Sequence, residues 1–81
     1  MKKNTYPEMF NVYQINYVNG CQALAFSETN EIKVGDRVIT AFGEGTVVYM
    51  VQFCTADEPW FKMISGIYTV DRITHKIVEV K

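Results

Sequence analysis

Two apolar runs that alternate at period two lie on either side of Phe42-Gly43-Glu44-Gly45, inside "IKVGDRVITAFGEGTVVYMVQF", Ile32 to Phe53. Period two sends successive side chains to opposite faces of an extended chain, so both runs read as strands. In the first, Val38 alternates against Arg37, Ile39 and Ala41. In the second, Val47, Tyr49, Val51 and Phe53 share one face, and Thr46, Val48, Met50 and Gln52 the other. Gly43 and Gly45 provide the backbone freedom of a tight turn. The centre of the chain is therefore expected to be a hairpin whose turn is Gly43-Glu44-Gly45, with Phe42 capping the end of the fold.

The flanking sequence repeats this grammar. In "MFNVYQINYV", Met9 to Val18, residues Tyr13, Ile15 and Tyr17 fall on one face of a strand. Asn19-Gly20 follows, a two-residue signal for a type I′ hairpin. The return strand, Cys21 to about Glu28, is apolar on both faces and is expected to be central or covered. "SETNEIKVGD" is a polar connection, and "CTADEP" reads as a loop. "WFKMISGIY" is open between one more strand and a mobile excursion. "TVDRITHK" has the look of a short helical turn capped by Thr69 or Asp71, and "KIVEVK" closes the chain as a last strand. No helical period runs over ten residues.

Four clear strands with short turns, and one or two more near the C-terminus, describe an all-β fold. The expectation is a small SH3-like antiparallel β-barrel with at most one short helical turn near the C-terminus; an OB-type barrel is second. Residues 1–8 are expected to be a flexible leader and 9–81 a single domain. A chain of 81 residues buries only ~60% of the surface its unfolded form exposes, but 48% of the residues are apolar, so its core can be dense.

Charge and chemistry narrow the function. Eight Lys and Arg against nine Asp and Glu give a net charge of −1, unlike a protein that coats nucleic acid by neutralising phosphates. No signal-like or membrane-spanning apolar run is present, so Cys21 and Cys54 read as reduced thiols of a cytoplasmic protein. One histidine, His75, and two distant cysteines lack ligand spacing, so neither metal nor cofactor is expected. No nucleophile–base pair, carboxylate pair or phosphate loop stands out, so the chain reads as non-enzymatic. The aromatic turns are the better lead. Phe42 with Gly43, and Trp60 beside Lys62, are candidate binding residues, joined by Arg37.

The run "VGDRVITAFGEGTVVYMVQF" resembles the N-terminal domain of the primosomal replication helicase, where V-G-x-R-V-x-V-P-F-G leads into the second half of a small β-barrel. Val34, Gly35, Arg37, Val38, Phe42 and Gly43 match that pattern, and "YTVDRITHKIVEV" is similar to the domain's closing connector and last strand. The resemblance covers about half the chain and extends to stand-alone relatives of bacterial and phage genomes. It implies a barrel fold and sequence-independent capture of a DNA 3′ end. The chain differs where Ala41 replaces proline, where Glu44 follows Gly43, and where "ALAFSE" offers Ala23, Leu24 and Ala25 and no buried-side carboxylate for the acidic residue of the family's pocket. The first expectation is accordingly a protein-interaction module. The alternative is a single-stranded DNA or DNA 3′-end binder using Arg37, Phe42, Trp60 and Lys62. A third is self-association through Val47–Phe53, should that run form a strand edge.

Overall fold

The computed structural model describes residues 6–78. Its elements are β1 (Phe10–Tyr17), β2 (Gln22–Ser27), β3 (Arg37–Thr40), β4 (Gly43–Cys54), α1 (Pro59–Ile67), β5 (Val70–Arg72) and β6 (His75–Ile77), in one sheet of order β5-β2-β1-β4-β3-β6. All neighbours are antiparallel except β2 and β5. Only Ile73 and Thr74 separate β5 from β6, yet these strands lie at opposite ends of the sheet order. The sheet must therefore curl until its edges meet there. Ile73 N–H donates to Phe26 O (2.9 Å) and Thr74 N–H to Ile39 O (2.8 Å) across that seam. This is the small, mostly β, SH3-like architecture expected from the strand pattern.

Curling gives the sheet two apolar faces. Inside lie Tyr13, Ile15, Tyr17, Ala25, Ile32, Val38, Val47 and Ile73. Outside, Phe10, Val12, Phe26, Cys54 and Val70 are covered by Phe61 of α1. β1 supplies both cores, Tyr13, Ile15 and Tyr17 inward and Phe10 and Val12 outward, which is why its whole N-terminal half is buried.

The helix occupies the segment left open between strand and excursion, and the expected helical turn at 69–76 is instead β5 and β6. Pro59 suits the first helical turn, where its missing N–H costs nothing. Trp60, Phe61 and Ile64 then share one face by their i, i+1, i+4 spacing. Nine residues are too few for a helix to persist alone, so docking of Phe61, 1% exposed, holds it. Tyr6, within the expected 1–8 leader, packs into the outer core. Tyr6 stacks on Phe10 (ring centroids 5.5 Å) and meets Phe26 and Phe61 edge-on (5.1 and 5.0 Å). Residues 1–5, and the last strand's residues 79–81, lie outside the described part.

Both hairpins differ in detail from expectation. Phe53 is the one non-glycine residue at positive φ among those described, so Asn19 cannot form a type I′ turn. Instead Gly20 (φ +94) closes a three-residue loop, its N–H donating to Tyr17 O at 2.9 Å. In the central hairpin Thr40 pairs with Gly43, so the turn is Ala41-Phe42, and Glu44 and Gly45 already belong to β4.

The central strand also breaks its own period. The β1–β4 register shifts between Gln14 and Ile15 and again between Phe10 and Val12, so β4 carries an extra residue at each place. The first extra residue, Val48, reverses the alternation. Val47 and Met50 face the barrel core, while Tyr49, opposite Gln14, turns outward, 61% exposed. The single face expected for Val47, Tyr49, Val51 and Phe53 does not exist. β4 lies between β1 and β3, but β3 pairs only with residues 43–46 and residues 35–36 bond Val47, so beyond Val47 the side of β4 away from β1 has no strand beside it among the described residues.

Candidate partner-binding surface

The five residues singled out by sequence do not converge on one site. Phe42 sits at the tip of the β3–β4 hairpin, 53% exposed, its ring edge-on to Tyr17 at 5.7 Å. Its N–H donates to Thr40 Oγ1 (3.1 Å), and Gly43 adopts φ +119 beside it. Arg37, on β3, forms an ion pair with Glu44 across the hairpin. Trp60 is half-buried on the other side of the sheet, edge-on to Phe61 at 5.9 Å, as part of the core under α1. Lys62 is exposed on the helix. Phe42 thus touches the core only through Tyr17 and stays exposed at the hairpin tip, and Trp60 packs.

Behind Phe42 the Tyr17 hydroxyl bonds Thr40 Oγ1 at 2.7 Å. Burial pushes the Tyr17 hydroxyl pKa up, the Thr40 bond works against it, and the Asp71 carboxylate adds to the rise. One Asp71 oxygen is buried without a hydrogen-bond partner among the described residues. Cys21 is exposed and Cys54 buried, both as free thiols; burial, with Glu58 nearby, pushes the Cys54 thiol up. His75 is exposed and bonds Thr74 Oγ1 at 3.2 Å.

A different surface gathers more unsatisfied apolar area. On the outer face, beyond the part of β1 and β2 that α1 covers, a groove of about 380 Å³ is lined by Gln14, Gln22, Ala23, Leu24, Tyr68 and Thr69. No lining residue bears a charged side chain. Gln14, opposite Leu24, and Gln22, opposite Asn16, are diagonal neighbours across β1 and β2, with Nε2 and Oε1 3.5 Å apart, and present neutral donors and acceptors. The helix ends at the groove: Ile67 and Tyr68 continue the stripe of Trp60, Phe61 and Ile64 past the core and remain 70% and 61% exposed. Tyr49 and Val48 of β4 add further exposed apolar surface. The i, i+3, i+4 spacing of 60, 61, 64, 67 and 68 was present in the sequence, but nine residues fell below the length at which period identifies a helix.

A second feature lies at the far end of β4. Phe53 has φ +59, a conformation that costs a bulky residue free energy, and its ring is 62% exposed. The 2%-exposed Asn11 holds it, its Oδ1 accepting the Phe53 N–H at 3.1 Å. Asn11 Nδ2 reaches Tyr13 Oη (3.2 Å), Thr29 O (3.1 Å) and Asn30 Oδ1 (3.1 Å), tying the bulge to the loop after β2. Nothing in the sequence around Asn11 or Phe53 marks them, because a bulge depends on the partner strand.

No helix of the described residues is long and apolar enough to cross a membrane. No protein-family model, no curated protein and no solved structure matches this chain.

Proposed function

We propose that the chain is a non-enzymatic protein-interaction module that receives an apolar, uncharged segment of a partner protein in the outer-face groove. The observation that carries this reading is the uncharged lining of a groove bordered by Tyr68, the 61%-exposed residue that follows α1. Contiguous exposed apolar surface of this kind marks interaction sites. Binding there would come from burial of Leu24 and Tyr68 and from neutral hydrogen bonds to Gln14 and Gln22. The two unbridged thiols support a cytoplasmic setting.

The alternative, single-stranded DNA or a DNA 3′ end, draws support from the exposed Phe42 ring. It is weakened by the Glu44 partner of Arg37 and by the separation of Trp60 and Lys62 from that ring. Salt separates the two readings. Selection from a displayed random-peptide library should yield apolar peptides whose affinity is unchanged by salt and lost in Gln22→Arg/Thr69→Arg, a pair of exposed groove residues. A labelled single strand should show no salt-sensitive binding. Absence of any groove-dependent peptide, together with oligonucleotide binding lost in Phe42→Ala, would reverse the assignment.

A further inference from the structure

β4 outruns its neighbour on one side. β3 reaches only residues 43–46, and the pairing ends at Val47, where Gly35 N–H donates to Val47 O (2.8 Å) and Val47 N–H to Asp36 O (2.9 Å). Beyond that point β1 is the one strand beside β4 among the described residues. The stretch between the two bulges is regular: Tyr49, Met50 and Val51 pair in turn with Gln14, Tyr13 and Val12. Main-chain direction follows from alternation along β1. Tyr17 N–H donates to Cys21 O on the β2 side and Val18 N–H to Glu44 O on the β4 side, so Gln14 and Val12 face β4 as well. Tyr49 and Val51 therefore bond β1, while Met50 and Gln52 direct their N–H and C=O to the open side. Phe53 N–H turns back to Asn11.

We propose that this open side, from Val48 to Gln52, is a strand-addition site, separate from the outer-face groove, at which an extended, uncharged segment of another protein pairs its main chain with Met50 and Gln52. An open row of main-chain donors and acceptors is matched by another extended main chain. Residues 46–54 hold no charge and no proline, so neither guards the edge. Val48 and Tyr49, 40% and 61% exposed, suit β-branched or aromatic side chains at alternate positions of the incoming strand. The length of the edge chooses the occupant. It is far below the about 20–30 residues a side of a standard interface between folded proteins, so a second copy meeting β4 here alone lacks the contact of a stable dimer. A single strand of ordinary length, ~5–6 residues, matches it, bonding main chain to main chain and laying side chains on both faces.

The test is amide hydrogen exchange of the whole chain, followed by NMR. In the free chain the Met50 and Gln52 amides should exchange at least about tenfold faster than those of Tyr49 and Val51. Peptides selected on the chain from a displayed random library should include uncharged ones that slow exchange at Met50 and Gln52. Their affinity should fall about tenfold, the effect of losing one main-chain bond, in Gln52→Pro, which removes an open N–H and leaves the β1 ladder in place. Val48→Lys, which guards the edge by charge and keeps the backbone, should weaken them similarly and serves if the proline variant does not fold. Gln22→Arg/Thr69→Arg should bind these peptides like wild type, so the edge and the groove readings stand or fall separately. Met50 and Gln52 amides as protected as Tyr49 in the free chain overturn the inference, as does a selection in which no peptide slows them or none is weakened by Val48→Lys. A wild-type mass that rises with concentration in ultracentrifugation, and stays monomeric in Val48→Lys, overturns it too, because the occupant is then a second copy.

Discussion

Asn11→Ala is the substitution that most directly tests how the two ends of the fold are joined. The Asn11 side chain makes four polar contacts linking β1 to the 29–30 loop and to the β4 bulge, but Nδ2 has two hydrogens to share among three acceptors, so with Oδ1 they amount to three hydrogen bonds. At about 0.5–1.5 kcal/mol net for each bond, the sum is about 1.5–4.5 kcal/mol. Part of that is recoverable. Asn30 and Phe53 are exposed, so water can replace their bonds, and Tyr13 Oη keeps a long bond to Thr29 O at 3.4 Å. The expected loss is therefore ~1–3 kcal/mol, a sizeable part of the ~4–12 kcal/mol available to a chain of this size. Urea unfolding at pH 7 should show a midpoint lowered by about 1–3 M with unchanged slope, at a slope of ~1–1.5 kcal/mol/M. The cycle with Phe53→Gly carries the sharper test. A glycine needs no holding, so Asn11→Ala should cost ~1 kcal/mol less in that background. A single-variant loss below ~0.5 kcal/mol, or additive effects in the cycle, would refute the account of Asn11 as the clamp on a strained bulge.

Other outcomes follow from the packing and the ionisable groups. Gly45→Ala should cost ~2–3 kcal/mol in the same urea assay, because its Cβ would lie 2.4 Å from Ile15 Cγ2 and 2.9 Å from Asn16 O, and backbone cannot yield easily; a neutral result would mean that β1 and β4 separate freely there. Phe61→Ala should cost ~3–5 kcal/mol and loosen α1, read as lost helical circular dichroism, while Met63→Ala, at an exposed helix position, should stay within about 0.5 kcal/mol. The Lys33 N–H at 2.8 Å holds the Asp36 carboxyl below its ordinary 3.8; burial opposes this, and Lys76 assists. A depressed folded value contributes stability above the unfolded pKa and loses it as pH falls through the folded one, so Asp36→Asn should flatten the acid limb of a urea-midpoint profile below about pH 4. Burial raises Tyr13 and Tyr17 above 10.0 and Cys54 above 9.0. Their contribution is full below those values and disappears as pH rises through the higher folded ones, so stability should decline above about pH 9, and Cys54→Ser should delay the onset.

Much of the fold was legible in local pattern. Tyr13, Ile15 and Tyr17 share the barrel interior as their spacing required, and the apolar character of both faces of Cys21–Glu28 anticipated a strand buried between β1 and β5. The helix was not legible. Trp60, Phe61 and Ile64 have helical spacing, but over nine residues this is indistinguishable from other arrangements until Phe10 and Phe26 provide a surface to dock on. The candidate surface was missed for a similar reason. Gln14, Gln22 and Leu24 come from two strands and Tyr68 from the end of the helix, and only strand pairing and helix docking bring them to one groove.

By itself, the sequence determined the positions of the four main strands, their pairing by short loops with Gly20 and Gly43 at positive φ, and a globular all-β class, because alternation and turn preference are properties of neighbouring residues. Tertiary structure alone decided where the alternation breaks, at Val48 and around Phe53. It alone decided that Ile73 and Thr74 close the sheet onto itself and that Ile67 and Tyr68 are left uncovered. Each of these depends on which backbone lies opposite, and a bulge, a seam and an exposed helix end have no local signature until the partner strand is in place.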